Sequence, residues 1–96
     1  MIEIKFADNF FKRLVGLMFK NDIDYGLLFI LKYGSDIHTC FMRFTIDAYF
    51  LDEDKKVFDK VSLKPWRYYK PSKKAKYILE VKKDCLNLNI GDKIDF

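Results

Sequence analysis

Ile46-Asp47-Ala48-Tyr49-Phe50-Leu51-Asp52-Glu53-Asp54-Lys55-Lys56-Val57 is the stretch on which the fold turns. Six residues rich in apolar and aromatic side chains run into five charged ones, and an apolar stretch resumes at once. The first six read as a β-strand, because bulky side chains suit a pleated, buried surface. Asp52 to Lys56 reads as a charged hairpin turn, although it lacks the Gly that such turns favour. Val57, Val61 and Leu63 are expected on one face of the strand that follows.

The flanking sequence repeats this grammar. Ile2, Ile4 and Phe6 alternate with Glu3 and Lys5, as in a half-buried strand. Gly26 opens the apolar run Leu27-Leu28-Phe29-Ile30-Leu31, and Tyr33-Gly34-Ser35-Asp36 reads as a turn. Ile37 to Arg43 reads as another strand. Tyr77, Leu79 and Val81 alternate with Ile78, Glu80 and Lys82 in a further one. Asp84 is expected to cap one helical turn through Leu88, and Gly91-Asp92 to turn into a last short strand ending at Phe96. One segment has helical spacing: Phe10, Leu14, Leu17 and Met18 would form the buried stripe of a helix from Phe10 to Phe19, capped by Asp8 or Asn9. Short strands with turns between them predict a mainly β domain over residues 1–96, a compact sandwich or closed barrel with one short N-terminal helix.

Ninety-six residues allow one core and little spare volume. Half are hydrophobic and 18% aromatic, which argues against disorder. The longest apolar run, Tyr25 to Leu31, is far shorter than the ~18 residues of a membrane span. No basic start followed by an apolar stretch is present, so a cytosolic protein without a membrane partner is expected. Cys40 and Cys85 are too few for a disulfide scaffold and are expected as free thiols. The net charge of +4 suits anionic partners without proving nucleic-acid binding.

Several stretches resemble one family. Arg13-Leu14-Val15-Gly16-Leu17-Met18 resembles its Arg-x-x-Gly-Leu-Met, and Gly26-Leu27-Leu28-Phe29 its Gly-(Met/Leu)-Leu-Phe strand. Ile37-His38-Thr39-Cys40-Phe41-Met42-Arg43-Phe44-Thr45-Ile46-Asp47 is similar to its Ile-His-Thr-Phe-Gly-Met-Arg-Phe-Pro-Ile-Asp, and Leu63-Lys64-Pro65-Trp66-Arg67 to its Leu-Arg-Pro-Trp-Arg. The family is the domain of unknown function 192, and the resemblance covers about Ile2 to Asp95. It implies a jelly-roll-like β-sandwich or barrel with one short helix, and no established activity. Cys40-Phe41 stands where the family pattern has Phe-Gly, and Thr45 where it has Pro.

The chain holds fifteen lysines but only three arginines, Arg13, Arg43 and Arg67. Arginine forks onto carboxylate or phosphate and stacks on rings, which lysine cannot copy. Each is either an internal ion pair, such as Arg43 with Asp47 or Arg13 with Glu80, or a ligand contact. His38 is the only histidine, a possible general base or a hydrogen-bonded structural residue. His38, Cys40 and Met42 would share one strand face, a soft-metal ligand set weakened by the core-like setting of Met42. Lys64 to Lys76 carries Lys64, Arg67, Lys70, Lys73, Lys74 and Lys76 with Trp66, Tyr68 and Tyr69 interleaved and no acidic residue. Such a loop holds single-stranded nucleic acid, holds a sugar or nucleotide on the indole face, or lies solvated with its aromatics on the core. Asp52, Glu53 and Asp54 are turn residues, and Glu80, on an apolar strand, needs a partner.

The expectation is a binding module for a small polar or anionic ligand, a phosphate, carboxylate or sugar, lined by His38, Arg43, Asp47, Pro65, Trp66 and Arg67. Two alternatives stand beside it: an enzyme using His38 and Asp47 as an acid–base pair, and single-stranded nucleic-acid binding through residues 64–76. No cofactor or metal is expected, and neither a catalytic residue nor an oligomeric state is assigned.

Overall fold

Strand Ile46–Leu51 is buried along all six residues, because it has strands on both edges and apolar layers on both faces. The computed structural model describes residues 3–7, 23, 25–31, 37–39 and 41–96. Among these the strands are β1 (Glu3–Ala7), β2 (Tyr25–Ile30), β3 (Ile37–His38), β4 (Ile46–Leu51), β5 (Val57–Leu63), β6 (Tyr68–Tyr69) and β7 (Tyr77–Lys82). Five form one sheet in the order β1-β2-β7-β4-β5, and β3 pairs with β6 in a second, small sheet. β1 runs parallel to β2, whereas every other pair is antiparallel. A parallel pair cannot be joined by a tight hairpin.

Alternation sends β4 to two cores. Ile46, Ala48 and Phe50 join Leu27, Phe29, Leu63 and Ile78 on one face, which Ile37, Met42 and Tyr69 cover from the small-sheet side. Tyr49 and Leu51 join Leu28, Val57, Leu79 and Val81 on the other face, which Leu86, Leu88, Ile94 and Phe96 cover. The C-terminal segment is held there by Gly91 N–H to Val57 C=O at 2.7 Å and Val57 N–H to Asp92 C=O at 2.9 Å. The result is mainly β and layered, and it is not a closed barrel: among the described residues β1 and β5 are the two open ends of the large sheet. Closure fails because the chain after β5 and after β7 covers the faces of the sheet instead of extending its edges.

Other expectations need correction. Val57 does not share a face with Val61 and Leu63, because the register shifts between Phe50, opposite Asp59, and Leu51, opposite Val57. One inserted residue reverses the facing of every side chain beyond it. The hairpin forms without Gly because Lys55 takes the left-handed position at φ 64°. Asp52 Oδ1 supports the turn by accepting the N–H groups of Asp54 at 2.9 Å and Lys56 at 3.1 Å. The expected strand Ile37 to Arg43 stops at His38, since Phe41 turns the chain at φ 63°. Asp84 is no helix cap: its φ of 64° belongs to a turn, and the final strand reduces to a single bridge between Lys56 and Lys93. No helix occurs among the described residues, and the expected helix from Phe10 to Phe19 and the turn from Tyr33 to Asp36 lie outside them. No described helix is long and apolar enough to cross a membrane.

Glu80 is the polar exception on the face of Phe50, standing across from Leu27 and Ala48. Burial pushes its carboxyl group up to about 8. Among the described residues it has no hydrogen-bond or ionic partner, and its expected partner Arg13 lies outside them. An acid whose pKa is raised by folding keeps its proton in the native state while the unfolded chain releases it. Stability therefore falls as pH rises from the ordinary carboxylate range to about 8, and levels off above it. Urea denaturation across that range is expected to show a loss of roughly 3–5 kcal/mol in the native chain. The Glu80→Gln variant is expected to show a nearly flat profile, and an equally steep one would contradict this account.

Candidate functional site

The segment between β3 and β4 meets the segment between β5 and β6 at one residue. Thr39 shares the inward side of its chain with Ile37 and is fully buried. A buried hydroxyl must be hydrogen-bonded, and here the bonds all reach the opposite segment. Thr39 Oγ1 donates to the Lys64 carbonyl at 2.6 Å and accepts the Arg67 N–H at 2.7 Å. Its backbone N–H donates to the Arg67 carbonyl at 2.8 Å, and its carbonyl accepts the Trp66 N–H at 2.9 Å and the Met42 N–H at 3.1 Å. Two short turns are thereby locked onto one another.

Each locked turn holds a bulky aromatic in a left-handed backbone conformation. Phe41 and Trp66 both have φ of 63°. That region is uncommon for non-Gly residues and strained for bulky ones. Neither ring repays the strain by entering the core: Phe41 is 46% exposed and Trp66 57% exposed. They face each other, with centroids 4.7 Å apart and planes tilted by 59°.

Charge surrounds this pair. Arg67 is exposed, and among the described residues its guanidinium reaches the carbonyls of Pro65 at 3.4 Å and Trp66 at 3.3 Å. No described carboxylate neutralises it. His38 lies opposite Tyr68 in the small sheet, and both are exposed on its outer side, while Ile37 and Tyr69 face inward. Arg43 is exposed just beyond the turn, and Pro65 is half-buried at its base. The structure therefore gathers His38, Pro65, Trp66 and Arg67 around one surface, with Phe41 and Tyr68 added, and Arg43 beside it.

Asp47 is elsewhere. It alternates with Ile46 and Ala48, so it faces the opposite side of the large sheet, beside Tyr49. Its carboxylate accepts from the Ser62 hydroxyl and, at 2.9 Å, from the Asp84 N–H, which ties β4 to β5 and to the turn after β7. An open groove of about 290 Å³ runs past it, lined also by Lys60, Leu86 and Asn87. His38 and Asp47 thus do not converge, and neither do Arg43 and Asp47 form the ion pair considered above among the described contacts. The shared face of His38 and Met42 fails too, because Met42 is buried and His38 exposed. Cys40 lies outside the described residues, and Cys85 is an exposed free thiol.

The basic segment 64–76 divides in two. Its inner side is fixed: the Tyr69 hydroxyl donates to Asp59 Oδ2 at 2.8 Å, a bond that raises its pKa, and the Ser72 N–H donates to the same oxygen at 3.1 Å. Pro71 and Ala75 are buried. Lys73, Lys74 and Lys76 line a groove with Asp52 and Glu53, so the positive charge at that end is partly offset. Lys64, Arg67 and Lys70 stand at the aromatic end.

Thr39 escaped sequence reasoning although it sits between two residues that drew attention. The available signal was alternation: Thr39 shares parity with Ile37, and a threonine on an inward face must bond to something. Thr39→Val keeps the shape and strands the Lys64 carbonyl and Arg67 N–H, so a loss of about 1–3 kcal/mol is expected in urea denaturation. Trp66→Gly relieves a left-handed aromatic and is expected to stay within about 1 kcal/mol of the native chain or to exceed it. A large loss on Trp66→Gly would make the indole a structural element.

The model of the family described as uncharacterized ACR, domain of unknown function 192, matches residues 1–96. The UPF0127 protein of Pyrococcus furiosus is 42% identical over 102 residues, covering 99% of this chain and 87% of its own length. That of Thermococcus sibiricus is 44% identical over 100 residues, covering 97% of this chain and 65% of its own length. A solved protein of unknown function from Novosphingobium aromaticivorans has a TM-score of 0.87 at 17% identity, covering 97% of this chain and 74% of its own; that likeness concerns the fold alone. With a family model spanning its whole length and relatives above 40% identity, this chain belongs to the uncharacterised family designated domain of unknown function 192.

Proposed function

We propose that this chain is a cytosolic binding module that holds a polar, anionic ligand against Trp66 and Arg67. One observation carries the reading: two bulky aromatics are kept at left-handed backbone positions, exposed and in mutual contact, where residues other than glycine are uncommon. Strain retained at a water-facing surface is characteristic of recognition sites. The guanidinium beside the indole is exposed and reaches no described carboxylate, so it is available for a phosphate or carboxylate fork. The indole supplies a face for a sugar or planar group. His38 and Arg43 stand within the same surface as secondary contacts, whereas Asp47 has no part in it.

A catalytic reading draws no support from this geometry. His38 and Asp47 lie on opposite sides of the large sheet, and general acid–base work needs both groups within reach of one substrate.

A thermal-shift screen of nucleotides, sugar phosphates and dicarboxylates tests the proposal, because a ligand that binds only the folded state raises its melting temperature. At least one anionic compound is expected to do so in the native chain. Trp66→Ala and Arg67→Lys are each expected to abolish that shift while keeping the unliganded melting temperature. A shift that survives both substitutions, or no shift from any compound with an oligothymidylate included in the screen, would overturn the assignment.

A further inference from the structure

We propose that the anionic partner of this surface is a strand of single-stranded nucleic acid, bound by base stacking on Phe41 and Trp66 and by phosphate contacts to Lys64, Arg67 and Lys70. This rests on the binding reading above and names its partner class. Three observations carry it.

The first is openness. Phe41, Trp66 and Tyr68 are 46%, 57% and 63% exposed. A pocket for a small molecule would enclose most of its ligand, whereas rings standing out of a surface offer faces to something laid across them. Phe41 touches Trp66, so these two rings form one platform, and Tyr68 is exposed two residues further along the chain. Bases stack on such platforms regardless of identity, because each has a π-face.

The second is the distribution of charge. Lys64, Arg67 and Lys70 are exposed at the aromatic end of their segment, with Arg43 exposed beside them. Asp59, a half-exposed carboxylate tied to this segment, accepts from the Tyr69 hydroxyl and the Ser72 N–H beyond the aromatic end. The lysines at the far end sit with Asp52 and Glu53. Lys64, Arg67 and Lys70 form no ion pair among the described residues, so positive charge lies where the rings are exposed, which is the pairing that holds a phosphate backbone alongside unpaired bases.

The third is rigidity. The Thr39 bonds fix the turns that carry Trp66 and Arg67, so the platform exists before the ligand arrives and binding orders little protein. Phe41 widens it at the cost of an unfavourable φ of 63°.

Fluorescence anisotropy of a labelled oligothymidylate, with thymidine monophosphate, inorganic phosphate, duplex DNA and polyglutamate as competitors, tests the inference on the full chain. The oligonucleotide is expected to bind far more tightly than the mononucleotide, with log K falling against log salt at a slope of about −2 if three phosphates are contacted. Trp66→Ala and Phe41→Gly are each expected to weaken binding by about 10-fold or more. Lys64→Gln and Lys70→Gln are expected to flatten the salt slope, while Lys76→Gln leaves it unchanged. Urea midpoints of every variant separate lost binding from lost folding. Duplex or polyglutamate competing as well as the single strand would overturn the inference, as would affinity indifferent to the two rings. If the mononucleotide or phosphate binds through Trp66 and Arg67 but a longer strand adds nothing, this inference fails and the binding module stands. If none of these probes binds, both fail.

Discussion

The buried side chain of Thr39 and the backbone groups beside it hold together everything that distinguishes this surface. A hydroxyl with no access to water bridges a carbonyl and an N–H of another segment, and the flanking backbone adds three further bonds. Buried bonds of this kind are modest in net stability but costly to break, because each orphaned group loses its partner and finds no water. Two turns that would otherwise wander as loops are thereby fixed. Their outward residues inherit that rigidity although they make few contacts themselves. The exposed Trp66 is ordered from behind, through its backbone.

Behind that lock stands a sheet covered on both sides. β2, β4 and β7 are apolar on both faces, as strands buried in the middle of a layered structure must be. The small sheet and its turns cover one face and the C-terminal segment the other. The site is therefore built on the outside of a covering layer, with the core beneath it and no polar function required of the core. Glu80 is the departure from that economy. Its carboxyl group lies on the same covered face, and burial keeps it protonated well above the usual carboxylate range. The protein tolerates a titratable group inside and two strained aromatics outside, in a domain whose total stability is of the order of ten kcal/mol at most.

Much of the fold was legible residue by residue. Ile46–Leu51, Val57–Leu63 and Tyr77–Lys82 are strands as their apolar content and turn signals indicate. The candidates Trp66, Arg67 and His38 came from residue rarity and spacing, and they do share one surface. Errors arose where a single backbone angle overrode a pattern. Phe41 and Asp84 adopt positive φ where the sequence offers no Gly, so the strand ends earlier than its apolar pattern indicates and Asp84 sits in a turn instead of capping a helix. One bulged residue in β5 moved Val57 to the opposite core. Asp47 was grouped with His38 because both fall in one motif, and strand parity then separated them across a sheet.

The amino-acid sequence by itself determined the β class, the central strands and the chemical character of the surface. Those properties follow from local composition and period, which need no knowledge of distant residues. Tertiary structure alone decided which side of the sheet each residue serves, that the large sheet stays open, and that Thr39 joins two distant segments. It also decided that one half of a uniformly basic segment shares a groove with the acidic hairpin tip while the other half faces water with Trp66. Each of these depends on a register, a left-handed turn or a long-range hydrogen bond, and such choices are settled only when segments far apart in the chain compete for the same space and the same partners.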